Sequence, residues 1–169
     1  KPAEVIHLTC AAAVAAASAV ADASGITPGI KWTNDLVWQG RKLGGILTEL
    51  GFTPQGEVDY AIIGIGINCC QQSQDFPEDI RDMAGSLSMV SGKPIDRAKV
   101  AAAMLEALET MSQQLISRKA EILSRYRLDC MTLNRDVVLV RGDEKRYGHA
   151  VDIDENAIKI DEDQIRELV

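Results

Sequence analysis

Hydrophobic and polar positions change rhythm three times along the chain. Residues 5–21 carry no formal charge and are mostly Ala, with Thr, Ser and His interspersed. Alanine has the best helix propensity, Pro2 suits a first helical turn and Gly25 is placed to stop the run, so this stretch predicts a tightly packed helix. After Gly25 the chain turns to short apolar segments with turn punctuation. Residues 30–32 predict a strand, Thr33-Asn34-Asp35 a turn, and 36–38 followed by Gln39-Gly40 a hairpin, with Lys42 just past that second turn. Residues 43–52 (LGGILTELGF) and 60–68 (YAIIGIGIN) add two longer strands, and together these segments predict an antiparallel meander.

The third rhythm is helical. Residues 71–75 read as a polar loop, 77–83 as a short helix, and Gly92-Lys93-Pro94 punctuates before a long helix. There Val100, Met104, Leu108, Met111 and Leu115 recur at spacings of four, four, three and four, an apolar stripe of core residues that breaks near Ser117. A further helical stretch reaches about Tyr126. From Leu128 onward 136–140, 145–154 and 157–160 are short strand candidates, separated by 141–143 and Glu155-Asn156, which makes a small β module. The expected class is therefore α+β: a largely antiparallel sheet with packing helices over 1–127, then a separate small β domain over 128–169.

Composition narrows the function. At 169 residues a chain can bury roughly two thirds of its unfolded surface, enough for one substantial core and a satellite. Twenty-five acidic against eighteen basic residues leave a formal charge of -7, which opposes the phosphate neutralisation that nucleic-acid binding requires. Two Trp, three Tyr and two Phe leave little material for stacking bases. No nucleic acid is expected as a partner of this segment. The first helix superficially resembles a targeting sequence, but Glu4 interrupts its basic end and its apolar content falls short of the roughly 18 residues of a spanning helix. No membrane contact is expected. Cys10, Cys69, Cys70 and Cys130 form no C-x-x-C pair, and His7 and His149 lie far apart, so no metal-ligand spacing is visible. Reduced thiols of a cytoplasmic protein fit best.

The densest polar cluster is Lys31-Trp32-Thr33-Asn34-Asp35, followed by Gly40-Arg41-Lys42-Leu43-Gly44-Gly45. If 36–40 turns back on itself, Asp35 and Lys42 come opposite one another near the hairpin base. Gly44 and Gly45 leave the backbone open to a ligand there, which suits an anionic or strongly polar molecule. The same spacing also fits a solvated surface ion pair worth about 0 to 1 kcal/mol. P-loop, dinucleotide and nucleophile-elbow patterns do not fit: Gly64-x-Gly66 lacks a third glycine and a following helix.

KWTND (31–35), GRKLGGILTE (40–49) and GIGINC (64–69), in that order, resemble the central motifs of biotin protein ligases, and GSL (85–87) before a long helix agrees. The resemblance covers about half the chain, and the terminal β module resembles the SH3-like domain that follows the ligase core. It implies a class II synthetase-like fold and a ligase that converts biotin and ATP to biotinyl-5'-adenylate and pyrophosphate, then transfers biotin to a lysine of a biotin carboxyl carrier protein. By this resemblance Lys42 contacts the biotin carboxylate and the α-phosphate. Asp35 orients Lys42 or a Mg²⁺ and helps the incoming lysine lose its proton. Gly44, Gly45 and Ile46 run along biotin, Asn34, Asp35, Lys42 and Asn68 lie at the nucleotide, and Trp32 and Ile67 pack underneath. Thr33 stands where many family members have proline. The family's Gly/Arg-rich loop precedes the first helix and is not in this sequence, so the resemblance implies a fragment, weak or inactive alone. It also implies a homodimer. The alternatives are a lipoate ligase-like enzyme and a non-catalytic binding module.

Overall fold

The computed structural model describes residues 3–154 and 158–161. The alanine run forms α1 (Ala3–Ser24), closed by Gly25, whose φ of 76° and amide hydrogen bond to the Ala21 carbonyl (2.8 Å) make a left-handed stop. Pro2 lies outside the described residues. Cys10, Ala12, Ala13, Ala16, Ala19 and Val20 are fully buried, because α1 is the hub on which the other elements pack. Its span His7–Ser24 is long and apolar enough to cross a membrane by length and composition, yet more than half of it is buried inside the protein. Small side chains allow that close approach from several sides.

The expected meander is present as β1 (Gly29–Lys31), β2 (Asp35–Trp38), β3 (Arg41–Phe52) and β4 (Val58–Ile67), in the order β1-β2-β3-β4, with all pairs antiparallel. Positive φ at Gln39 and Gly40 (47° and 79°) gives the two-residue turn whose twist suits a hairpin. One face of the sheet presents Ile30, Leu36, Leu43 and Ile46 to the core. The other face is left open at the β1-β2-β3 corner. Toward the far end of β3 and β4, Leu47, Phe52, Tyr60 and Ile62 are exposed.

Residues 71–86 close over that corner. A 3-10 turn at Ser73–Asp75 occupies the expected polar loop. The short helix expected at 77–83 is instead a series of turns: Ile80 and Arg81 donate to Pro77 and Glu78 three residues back, and only Ala84 reaches four back, to Ile80. The end of the segment is anchored to β3. The Met83 carbonyl accepts from the Lys42 amide (2.7 Å) and the Gly85 amide donates to the Lys42 carbonyl (3.0 Å), so residues 83–85 pair with β3 where the turns end. Ser86 then caps α2 (Leu87–Ser91), and Asp96 caps α3 (Arg97–Gln114). The stripe lies against the core through Val100, Met104, Leu108 and Met111, and α4 (Lys119–Asp129) follows the break.

The remaining strands, β5 (Asp136–Arg141), β6 (Glu144–Ile153) and β7 (Ile158–Asp161), form a three-stranded antiparallel sheet in that order. The expected Glu155-Asn156 turn and Ala157 lie outside the described residues. The class is α+β, with two antiparallel sheets and few helices; no closed barrel is formed among the described residues. Ala150, Ile153 and Ile158 join the same core as α1. The segment after α4 is tied to the first sheet, the Met131 amide donating to the Ile30 carbonyl (2.9 Å).

Candidate active site

Cross-strand register builds the site. Lys31 pairs with Asp35, Asp35 with Gly45, and Gly45 with Gly66, so these residues form one row across all four strands on the open face. Asp35 is therefore opposite Gly45, and Lys42 is opposite Val37, not Asp35 as expected from the hairpin alone. The two-residue turn alone pairs Trp38 with Arg41 and Val37 with Lys42; a bulge between Leu36 and Val37 then skips Leu43 and puts Gly45, not Gly44, opposite Asp35. In a regular strand Lys42 and Gly45, three apart, would point to opposite faces; the extra residue brings Gly45 to the face that Asp35 already shares with Lys42. Its Nζ then lies 2.5 Å from Asp35 Oδ1.

Gly45 leaves room beneath that pair. A Cβ there would sit 3.3 Å from Asp35 Oδ1 and 3.4 Å from Lys42 Cε, directly under the two charged heads. Gly66 continues the bare floor, which explains why the Gly64-x-Gly66 pattern exists without a dinucleotide motif. Above the floor is a cavity of about 860 Å³. Phe76, Ile80, Met83, Ala84 and Met131 make its apolar walls, and its charged lining residues are Lys31, Asp35 and Lys42. Arg41 fastens one wall, its guanidinium donating to the carbonyls of Arg81 (3.2 Å) and Ala84 (3.0 Å).

The other expected residues divide into liners and braces. Gly44 and Gly45 line the cavity, and so does Asn68, whose side-chain amide donates to the Gly85 carbonyl (2.9 Å) while its backbone amide bonds to Leu43 (2.8 Å). Asn34 and Ile46 do not line it. The Asn34 side chain donates to the Ile46 carbonyl (2.6 Å), and the Ile46 amide donates to the Asn34 carbonyl (2.9 Å). With both backbone groups of Ile46 taken and its side chain buried, this pair braces the turn. Trp32 packs against the core, whereas Ile67 both packs there and lines the cavity.

The turn is also held from behind. The Tyr126 hydroxyl donates to the Thr33 carbonyl (2.8 Å) and the Trp32 amide donates to Thr132 Oγ1 (2.9 Å). Burial pushes the adjacent Cys10 thiol up to about 12 and the Tyr126 phenol well above its ordinary range. All four cysteines are free.

Sequence reasoning left Lys31 and the 76–84 wall unassigned. The wall had a signal, since Phe76, Ile80 and Met83 fall at apolar spacings of four and three beside an otherwise polar stretch. Lys31 had a weaker one, its separation from Asp35 by a three-residue turn.

The sequence profile of the biotin/lipoate A/B protein ligase family matches residues 1–68. The bifunctional ligase/repressor BirA of Bacillus spizizenii is 50% identical over 94 residues, 56% of this chain and 29% of that protein. The biotin–[acetyl-CoA-carboxylase] ligase of Mycobacterium tuberculosis is 30% identical over 152 residues, 88% of this chain and 53% of that protein. The chain thus spans about half or less of the length of these two relatives. Biotin protein ligase from Aquifex aeolicus superposes in its apo form with a TM-score of 0.81 at 26% identity, covering 93% of this chain and 68% of that one. In its complex with biotin and ATP the score is 0.76 at 28% identity, covering 92% and 64%. With the motifs in order, the shared fold and these relatives, the chain belongs to the biotin protein ligase family.

Proposed function

We propose that this chain supplies the reacting corner of an enzyme that activates biotin with ATP and transfers it to a lysine of a biotin carboxyl carrier protein. The observation that carries the reading is the Lys42–Asp35 pair held over a glycine floor inside a cavity large enough for a small ligand. The Aquifex aeolicus relative has been solved with biotin and ATP, which supports both as ligands here.

In the first step a biotin carboxylate oxygen attacks the α-phosphorus. A bond from phosphorus to that oxygen forms, the bond to the bridging oxygen of the β-phosphate breaks, and its electron pair leaves on pyrophosphate. Lys42 stabilises the negative oxygens that crowd together as this happens, and preorganised charge of this kind contributes on the order of 3 kcal/mol per donor. Asp35 fixes the direction of the ammonium. The apolar walls exclude water that would otherwise hydrolyse the mixed anhydride. In the second step the carrier's lysine amine attacks the acyl carbon, the carbon–oxygen bond to AMP breaks, and Asp35 is the base nearest the departing amine proton.

Asp35, the cavity's one carboxylate, fits a Mg²⁺ that arrives with nucleotide phosphates, since Mg²⁺ is commonly held by one or two carboxylates plus substrate oxygens. Bound there, it would neutralise phosphate charge. Asn68 suits the nucleoside end. We further assign 128–169 as a small SH3-like domain, the cytoplasm as the compartment, and the open edge of β4 as a docking edge for the carrier or a second copy of the chain.

The test is biotin-dependent exchange of labelled pyrophosphate into ATP by the whole protein that contains this chain. Exchange that requires biotin and not lipoate supports the reading. Lack of exchange overturns it, and exchange driven by lipoate alone replaces the substrate.

A further inference from the structure

The chain as a whole is acidic, with a formal charge of -7, but its cavity is not. The charged residues lining it are two lysines and one aspartate, which leaves one net positive charge. Lys42 and Asp35 satisfy each other at 2.5 Å. Lys31 stands directly opposite Asp35 in the β1–β2 register, the position from which a cross-strand Lys–Asp pair ordinarily forms. Across the next strand pair Lys42, diagonal to Asp35, takes that carboxylate instead. Among the described residues Lys31 has no ion-pair partner, and its side chain is exposed at the cavity rim.

The row Gly66, Gly45, Asp35, Lys31 therefore runs from bare backbone to unpaired charge. A ligand laid along it meets no side chain at one end, the Lys42–Asp35 pair in the middle and a free ammonium at the other end. ATP matches that polarity with Lys42 at the reacting α-phosphate, because most of the triphosphate's charge lies beyond that point. A lysine is a compact charge on a flexible stem and can follow a group that moves as it leaves.

We propose that Lys31 receives the β- and γ-phosphates of ATP and holds them as they depart as pyrophosphate. This rests on the biotin-activating reading above. Lys31 then belongs to the first half-reaction alone, because biotinyl-adenylate has no phosphate beyond the one at Lys42.

The test uses the whole protein as wild type, Lys31→Met and Lys31→Arg. Three quantities are measured: the KM for ATP in adenylate formation, inhibition of that step by inorganic pyrophosphate, and transfer from supplied biotinyl-adenylate to the carrier. In Lys31→Met the KM for ATP and the pyrophosphate inhibition constant should both rise about tenfold or more, the loss of one charge-assisted contact. Lys31→Arg should recover most of that loss, and transfer from supplied adenylate should fall far less than adenylate formation. Unmoved ATP and pyrophosphate constants overturn the proposal. So does an equal loss in both half-reactions, which would make Lys31 a contact of the adenylate or of the fold. A wild type that forms no biotinyl-adenylate overturns the underlying reading instead.

Discussion

Each of the two sheets carries an acid–base pair across neighbouring antiparallel strands, and the two pairs do different work. Asp136 and His149 are direct register partners, with His149 Nδ1 2.7 Å from Asp136 Oδ1. Asp35 and Lys42 are not register partners and meet diagonally across a bulge at 2.5 Å. A direct pair adds to the sheet that holds it. The diagonal pair leaves Lys31 without its register partner, and the bulge beside it places Gly45 beneath the charges. The cavity lies beside the second kind of pair, where ladder regularity was given up. A short contact between an acidic and a basic side chain therefore does not mark a site by itself; the floor beneath it and the wall above it do.

The largest effect expected from this contrast is on chemistry. Lys42→Ala in the whole protein should lower biotin-dependent pyrophosphate exchange about a hundredfold or more, while leaving the urea midpoint close to that of wild type because the lysine is half exposed. Exchange within a few-fold of wild type would reduce the pair to a surface salt bridge like the other one. Next comes the floor. A Cβ on Gly44 would collide with the Gly66 carbonyl oxygen and approach Ile67 Cδ1 to 2.8 Å, so backbone must move. Gly44→Ala should cost about 1–3 kcal/mol of stability and also lower exchange. Gly148 in the second sheet is less tight, its nearest neighbours being the Asp161 oxygen and Ile160 Cβ at 3.1 Å. Gly148→Ala should cost less and leave exchange intact, as read by urea denaturation beside the exchange assay.

The local parts of this arrangement were legible in the sequence. The alanine helix with its glycine stop, the Gln39-Gly40 hairpin and the meander depend on propensity and turn chemistry within a few residues, and they appear with bounds shifted by one to three residues at most sites. What was not legible depends on pairing between distant segments. The 77–83 stretch has a helical apolar spacing, but it forms turns whose end, Met83, is tied to Lys42, far away in sequence. Lys42 was expected opposite Asp35, but the two-residue turn sets it opposite Val37, and the bulge that puts Gly45 opposite Asp35 left no local signal. Ile46 was expected beside a ligand from its place in a motif, but its amide and carbonyl are both held by Asn34. Motif membership gave the neighbourhood of these residues; hydrogen-bond partners separated those that face the cavity from those that support it.

Alkali should act on one side of the comparison first. The Asp35 turn is held by Tyr126, which packs with buried Cys10, whereas the Asp136–His149 pair has no such support among the described residues. Burial raises Cys10 from 9.0 to about 12, so above pH 9 the unfolded chain releases this proton before the folded chain does. Stability is fully present below pH 9 and falls between 9 and about 12, by about 1.4 kcal/mol per pH unit for one such group, with Tyr126 adding in the same direction. Urea midpoints measured from pH 8 to 11 should decline, and Cys10→Ala should make the decline shallower. An unchanged slope in that variant would remove Cys10 from the cause.

The smallest effect belongs to the regular pair. His149 and Asp136 are about a quarter exposed, at 27% and 22%, so solvent screens much of their attraction, and the Asp136 carboxylate remains wet enough to survive without its partner. His149→Ala should therefore cost no more than about 1 kcal/mol in urea denaturation and leave both half-reactions at wild-type rates. If His149→Ala instead abolished exchange while the protein stayed folded, the second sheet would be acting on the reaction, and the division between a sheet that binds and a sheet that supports would fail at that residue.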